Sequence, residues 1–290
     1  MKRFALYSLT LLVAIAALAL AVDYANVWLI CSSSGNSAYK MKRLYENPMS
    51  DEIAIVGSSR ACGNFVPSLI SSHCFNYGVN GMAMGETMSI LEVLKTRKTN
   101  APVIVNLDPW GNFGSHTVAD YRLAPQSGRL SWVERVPGLR FFGALRKNVV
   151  AMIDARRSVT RVIDNGAELL KNSRTTSEWA AINSKLVDMS FCCNSEDCQR
   201  LMSILKAFSP RKVYVVICPC SAGWMSHFSG QQLLAEFLAG IRDVENVTVL
   251  DYFGLKEFSD VDFTDPTHFN LSGARKFSQM LKSQLTSLTK

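Results

Sequence analysis

Ile53-Ala54-Ile55-Val56-Gly57-Ser58-Ser59 is the stretch whose reading decides the fold. Four apolar residues without a polar break predict a short strand covered on both faces, as in a parallel sheet. Gly57-Ser58-Ser59 ends it, and Phe65, Leu69 and Ile70 come next at helical spacing. The same alternation then continues along the chain. Cys74-Phe75-Asn76-Tyr77 predicts a second strand ending at Gly78, and Met82 to Lys95 an amphipathic helix. Val103-Ile104-Val105-Asn106-Leu107 predicts a third strand, ending at Asp108-Pro109. Lys212 to Ile217 predicts the fourth strand, Leu233 to Ile241 a helix, and Val247 to Leu250 the fifth strand. Leu271, Ala274, Phe277, Met280 and Leu281 then mark the apolar side of a terminal helix. Strands alternating with helices imply an α/β fold, with a doubly wound, mostly parallel five-stranded sheet in a flavodoxin-like three-layer arrangement. That domain is expected over residues 51–290.

Between the third and fourth strands the pattern changes. From Phe113 to about Ser190 strand signals vanish, and helical runs such as Val149 to Leu170 are predicted. The sheet pattern resumes afterwards, so this stretch, about 113–190, reads as a helical insertion rather than a separate domain. Much of the net charge of +7 collects here, with Arg122, Arg135, Arg140, Arg156 and Arg157 among the contributors. A solvated basic face is the plain reading, and a surface meeting anionic lipid or an anionic substrate the sharper one.

The amino-terminal region reads differently. Lys2-Arg3 precede Phe4 to Val22, an uncharged and almost wholly apolar run. This is the pattern of a signal anchor or signal peptide over residues 1–30, with its positive end kept in the cytoplasm. Ala19-Leu20-Ala21 offers a cleavage site, whereas renewed apolar character at Ala25 to Ile30 favours an uncleaved membrane helix. On either reading the remainder is extracytoplasmic, and the polar residues 31–50 act as a linker. The chain has 290 residues, 48% of them hydrophobic and 19% charged, which excludes disorder as the main state. No interleaving of aromatic and basic residues argues for nucleic acid. Eight cysteines in an exported chain invite disulfides within or between the groups Cys192, Cys193, Cys198 and Cys218, Cys220, with the pairing open. No C-x-x-C pair occurs and no histidine is close in sequence, so neither metal nor other cofactor is expected.

The chemistry is set by where the strands end. In open α/β sheets, ligands bind beyond the carboxyl ends of the strands. Ser58-Ser59, the loop Gly78 to Gly81, Asp108 to Asn112 and Asp265-Pro266-Thr267-His268 all fall there. The chain has four histidines, and His268 is the one with a carboxylate three residues ahead. His73, His116 and His227 read as surface or loop residues. Ser59 is expected as nucleophile on a tight turn permitted by Gly57, with His268 as general base and Asp265 fixing its tautomer. The plainer reading of Ser59 is a helix N-cap. Ser58 can take that role while Ser59 attacks.

These residues resemble the SGNH or GDSL hydrolase superfamily. Gly57-Ser58-Ser59 is similar to its first block, with Ser58 in place of the usual aspartate. Asn76-Tyr77-Gly78-Val79-Asn80-Gly81 resembles the second, N-x-G-x-x-G, which assigns an oxyanion-hole role to Gly81. Asp265-Pro266-Thr267-His268 resembles the last. The resemblance covers the sheet core from about Ile53 to Lys282 and leaves out the insertion. The third block departs: the strand ends Leu107-Asp108-Pro109-Trp110-Gly111-Asn112, and Asn112 supplies the family's asparagine donor to the oxyanion only if the loop is a residue or two longer. Trp110 is expected to line an acyl or sugar pocket. Arg60 is expected to bind a substrate anion or to pair with Asp51 or Glu52. The resemblance implies a serine esterase or O-acyltransferase working through an acyl-Ser59 intermediate on envelope glycan or a similar ester. In the transferase case a membrane acyl-donor protein is the implied partner. The rival reading is a non-catalytic exported binding module that keeps the fold.

Overall fold

The structure is a computed structural model and describes residues 2–110, 131–141, 146, 149–150, 152–153 and 160–288. The chain divides into two compact units, Met1–Glu46 with Ala119–Ser158, and Asn47–Val118 with Val159–Lys290.

In the first unit, α1 (Lys2–Cys31) is long and apolar enough to cross a membrane, and its apolar stretch is exposed. Burial begins only at Asp23, Asn26, Leu29 and Ile30. Part of the expected linker is helical, because Ser37–Glu46 forms α2. Asn36 Oδ1 accepts the Ala38 N–H at 2.9 Å, and Ala38, Met41 and Leu44 make a buried stripe. Ile30, Ala38 and Phe141 pack together, with Val27 and Tyr39 against them.

The second unit opens with β1 (Ile53–Val56), α3 (Ser59–Asn64), α4 (Pro67–Ile70), β2 (Cys74–Asn76), α5 (Met84–Lys95) and β3 (Val103–Asn106). Within the expected insertion lie β4 (Arg161–Asp164), β5 (Ala167–Leu170), α6 (Thr176–Asn183) and β6 (Met189–Ser190), followed by α7 (Ser195–Lys206). Next are β7 (Val213–Ile217), α8 (Ala222–Met225), β8 (Phe228–Ser229), α9 (Gln231–Arg242) and β9 (Val247–Asp251). The unit closes with β10 (Phe263–Asp265), β11 (His268–Phe269) and α10 (Leu271–Leu288).

The five-stranded sheet runs β2-β1-β3-β7-β9 with every neighbouring pair parallel. Successive residues Ala54, Ile55 and Val56, like Val103, Ile104 and Val105, are all 0–1% exposed. Side chains alternate between the two faces of a strand, so such unbroken burial means that both faces are covered. On the face of Ile55, Ile104, Val216 and Leu250, the core is filled by Phe65 after α3 and by Ala274, Phe277 and Leu281 of α10. Phe277 meets Phe65 edge-on at 5.4 Å and lies 5.6 Å from Phe269, which ties the last helix to the Asp-His turn.

The insertion departs from expectation where it is described. Residues 149–150 and 152–153 are helical, but Arg161–Leu170, expected as the end of that helical run, is an antiparallel hairpin. Its turn is Asn165-Gly166, with φ of 39° and 89°. Two adjacent positive φ values are what a two-residue hairpin turn demands. A side chain at Gly166 would also run into the Asn76 carbonyl. Asn76 N–H donates to the Asn165 carbonyl at 2.8 Å, and Ser68 N–H donates to Asp164 at 3.0 Å, so the hairpin is fastened to the edge of the main sheet. Of the clustered cysteines, Cys193 and Cys198 are bonded to each other, while Cys218 and Cys220 are free and buried.

Candidate active site

The first turn of the chain after β1 sets the serine. Gly57 has φ 143°, and a Cβ there would come within 2.9 Å of the Asn106 carbonyl oxygen and 3.0 Å of Ala61 Cβ. Only glycine leaves room for β1 to turn this sharply into α3 beside β3. Ser58 caps the helix, its hydroxyl accepting the Arg60 N–H at 3.2 Å. Ser59 is thereby relieved of the capping role. Its own side chain points elsewhere.

It points at His268. Ser59 Oγ lies 2.8 Å from His268 Nε2, and the opposite ring nitrogen, Nδ1, lies 2.9 Å from both oxygens of Asp265. Asp265 and His268 face each other as a cross-strand pair of β10 and β11, joined by the tight turn Pro266-Thr267. The D-x-x-H spacing thus works through a hairpin, where directly opposed residues approach closely. Asp265 Oδ1 also accepts the N–H groups of Thr267 and His268 at 3.0 Å. Burial alone would raise the Asp265 carboxyl, but the His268 hydrogen bond and charge, with those two N–H groups, outweigh it and hold the carboxyl below its ordinary value. An ionised Asp265 keeps the imidazole proton on Nδ1 and leaves Nε2 free to accept from the serine.

Arg60 and Asn64, one helical turn apart on α3, lock this hairpin to the serine. Both donate to the Thr267 carbonyl, Arg60 Nε at 3.3 Å and Asn64 Nδ2 at 3.1 Å, and Asn64 Oδ1 accepts the Phe269 N–H at 2.9 Å. Arg60 Nη2 continues to the carbonyls of Cys218 at 2.6 Å and Pro219 at 3.1 Å, at the end of β7. Its Nη1 faces Asp108 at 3.6 Å. With 0% exposure, Arg60 is not placed to touch a substrate anion, and neither Asp51 nor Glu52 is its partner. Asp51 pairs with His73 and Glu52 with Arg97. The expectation for Arg60 is therefore corrected: it is a positioning residue spanning α3, β7 and the Asp-His hairpin. The sequence signal available was its i, i+4 relation to Asn64, but the carbonyls it serves carry no side-chain signature.

Trp110 is half-buried, 5.1 Å from the Arg60 guanidinium and 5.2 Å from Trp224. Trp224 in turn stacks on Phe228 at 5.5 Å and meets Phe253 at 5.9 Å, giving an aromatic wall beyond β7 and β9. Asn106, missed in the sequence because it closes a strand, donates to Asp108 at 3.0 Å and accepts from the Cys218 thiol at 3.0 Å. Burial pushes the Cys220 thiol up to about 11 and that of Cys218 to about 12. Both remain protonated, and so unreactive, at neutral pH.

Gly81 has φ 76°, and beyond its chain neighbours no atom of the described residues lies within 4 Å of the position a Cβ would take. Among the described residues, neither the Ser59 nor the Gly81 N–H is taken by a protein acceptor. Asn112 lies outside the described residues, as does His116. His227 pairs with Asp188 at 3.0 Å, away from the serine's partners. Among the described residues no group of three or more His, Cys, Asp or Glu side chains has the arrangement of a metal site. Neither the models of known protein families nor the curated proteins contain a match to this chain.

Proposed function

We propose that the chain is a membrane-anchored, extracytoplasmic serine esterase or O-acyltransferase of SGNH type. The observation that carries this reading is the Ser59–His268–Asp265 relay, a hydroxyl 2.8 Å from one ring nitrogen whose opposite nitrogen is held by a carboxylate. The strand order β2-β1-β3-β7-β9, counted among the sheet's own strands as 2-1-3-4-5, agrees with a doubly wound, flavodoxin-like topology. Length and apolarity of α1 support the anchor, and Lys2-Arg3 ahead of it support export of the domain behind it.

In the first half-reaction Ser59 Oγ attacks an ester carbonyl while His268 Nε2 takes the hydroxyl proton. Asp265 stabilises the imidazolium that results. The oxyanion is received by the free N–H groups of Ser59 and Gly81, with Asn112 as the expected third donor. Collapse expels the alcohol, which takes the proton back from His268 and leaves acyl-Ser59. In the second half-reaction water or a glycan hydroxyl gives its proton to His268 and attacks the acyl group, and His268 passes that proton to the departing Ser59 Oγ, releasing an acid or a new ester. Trp110 and its aromatic neighbours line the side where an acyl or sugar group would lie. Which acceptor arrives decides between esterase and transferase, and a membrane acyl-donor protein is the natural partner in the second case.

A fluorophosphonate probe tests this. Wild-type protein is expected to label covalently and Ser59→Ala to remain unlabelled with an unchanged circular dichroism spectrum. A folded wild type that takes no label overturns the enzyme reading in favour of an exported binding module on the same fold. Competition between a supplied glycan and water for the acyl group then separates transfer from hydrolysis.

A further inference from the structure

Residues 131–141 belong to the unit that contains α1, and their surface is unusual. Within this short segment Trp132 is 77% exposed, Leu139 44%, Val136 39% and Val133 37%. Isolated apolar residues on a surface need no explanation, but a contiguous apolar patch marks an interaction site. Its height along α1 is fixed by a specific contact. The Asp23 carboxylate accepts Gly138 N–H at 3.1 Å, Arg140 Nε at 2.8 Å and Arg140 Nη2 at 2.6 Å. Gly138 lies so close to α1 that a Cβ on it would stand 2.6 Å from Ala19 Cβ.

These contacts place the patch relative to the apolar helix. Phe4 to Val22 rises about 28 Å at 1.5 Å per residue. A bilayer's hydrocarbon core is about 30 Å thick. Asp23, the first charged residue after Lys2-Arg3, therefore marks the exit from hydrocarbon, and the Arg140 fork neutralises it there. Ala19, where Gly138 sits, is one helical turn deeper. Tyr24, 75% exposed, and Trp28, 54% exposed, come next on α1 at the level where aromatic belts form. Arg135, exposed in the same segment, provides a cation for lipid phosphate.

We infer that residues 131–141 form a collar that inserts Trp132, Val136 and Leu139 into the headgroup boundary of the exported leaflet beside α1. The inference rests on α1 being a membrane anchor. A lipid surface is the occupant these features fit, since the segment that carries them lies against a helix whose apolar stretch is itself uncovered. It explains why a loop carries exposed tryptophan, valine and leucine while its Gly138 and Arg140 grip the helix at Asp23.

The test uses the full chain reconstituted in phosphatidylcholine–phosphatidylglycerol vesicles, with the phosphatidylcholine brominated high on its acyl chains. Trp132 emission is obtained as the difference between wild type and Trp132→Phe, a variant that changes only an exposed ring. The collar predicts that this component is blue-shifted and loses most of its intensity in brominated vesicles. Retention of the chain in the membrane pellet after an alkaline carbonate wash tests the anchor separately. A chain that is retained, with Trp132 emission unquenched, overturns the collar alone and points to a protein partner or a second copy on that face. A chain that washes off overturns the anchor, and the collar with it.

Discussion

At the amino-terminal rim of the sheet, Glu52 stands just ahead of β1 with 1% exposure, taking the Tyr77 hydroxyl at 2.5 Å and Arg97 Nη1 at 2.9 Å. At the carboxyl-terminal rim, Arg60 is just as buried, but the groups it aligns are not. His268 and Asp265 have side chains 23% and 37% exposed, and Ser59 is half-buried. The amino rim is closed: a carboxylate, a phenol and a guanidinium bond to one another out of solvent, with Arg211 nearby donating to the carbonyls of Leu94 and Ala101. The carboxyl rim uses its fully buried arginine on carbonyls and so leaves a hydroxyl–imidazole pair facing outward. Buried charge alone marks neither rim as functional. What separates them is an open hydroxyl–imidazole pair resting on a closed support.

The largest effect that would sharpen this contrast is at Asp265. Asp265→Asn should slow fluorophosphonate labelling by about 10⁴-fold, the size of a tautomer loss in a serine triad, while lowering the unfolding midpoint only slightly. Labelling at the wild-type rate would break the contrast by removing the relay from one side of it. Next come paired variants at the two supports. Breaking a buried ion pair by removing one partner is destabilising by about 3–5 kcal/mol, so Glu52→Ala and Arg60→Ala should both lower the urea midpoint. Per folded molecule, Glu52→Ala should label at the wild-type rate and Arg60→Ala should not. Arg60→Lys should recover part of the stability but not the rate, because a lysine cannot serve two strand ends and the Thr267 carbonyl at once. Equal labelling by both alanine variants would show the two rims to be alike.

The smallest effect is on pH. Asp265 has its carboxyl held below the ordinary value of about 3.9. A depressed folded value means the linked stability is fully present above the ordinary value and is lost as pH falls through the folded one. The stability advantage of wild type over Asp265→Asn should therefore be constant near neutrality and shrink in acid. Tyr77 acts in the opposite sense at the other rim, since burial and the Glu52 charge raise its phenol. Its contribution is present below about 10 and is lost as pH rises beyond that. Urea titrations at acidic, neutral and alkaline pH would separate the two.

The sheet is legible because its strands are short apolar runs buried on both faces, and Ile53–Val56 or Val213–Ile217 have no other good reading. The hairpin Arg161–Leu170 escapes a sequence reading, although Asn165-Gly166 between Val162-Ile163 and Leu169-Leu170 is a strong turn signal, because the surrounding arginines favour a helical pattern. Ser59, Asp265 and His268 can be nominated from the ends of strands, and their distances result from how α3 and β10–β11 dock. Arg60 cannot be assigned correctly from sequence. Its partners are main-chain carbonyls at Cys218, Pro219 and Thr267, which no pattern of side chains encodes. Asn36 capping α2 is likewise hidden inside a polar stretch that reads as linker.

Ser59 and His268 stand 209 positions apart in the chain. A ribosome therefore delivers the serine long before the imidazole, and closing so wide a loop is deferred until Asn64 and Arg60 can seize the β10–β11 turn. Truncated translation products that end before that turn carry the hydroxyl with nothing to take its proton. On the function proposed above, completion of the polypeptide is itself the activation step.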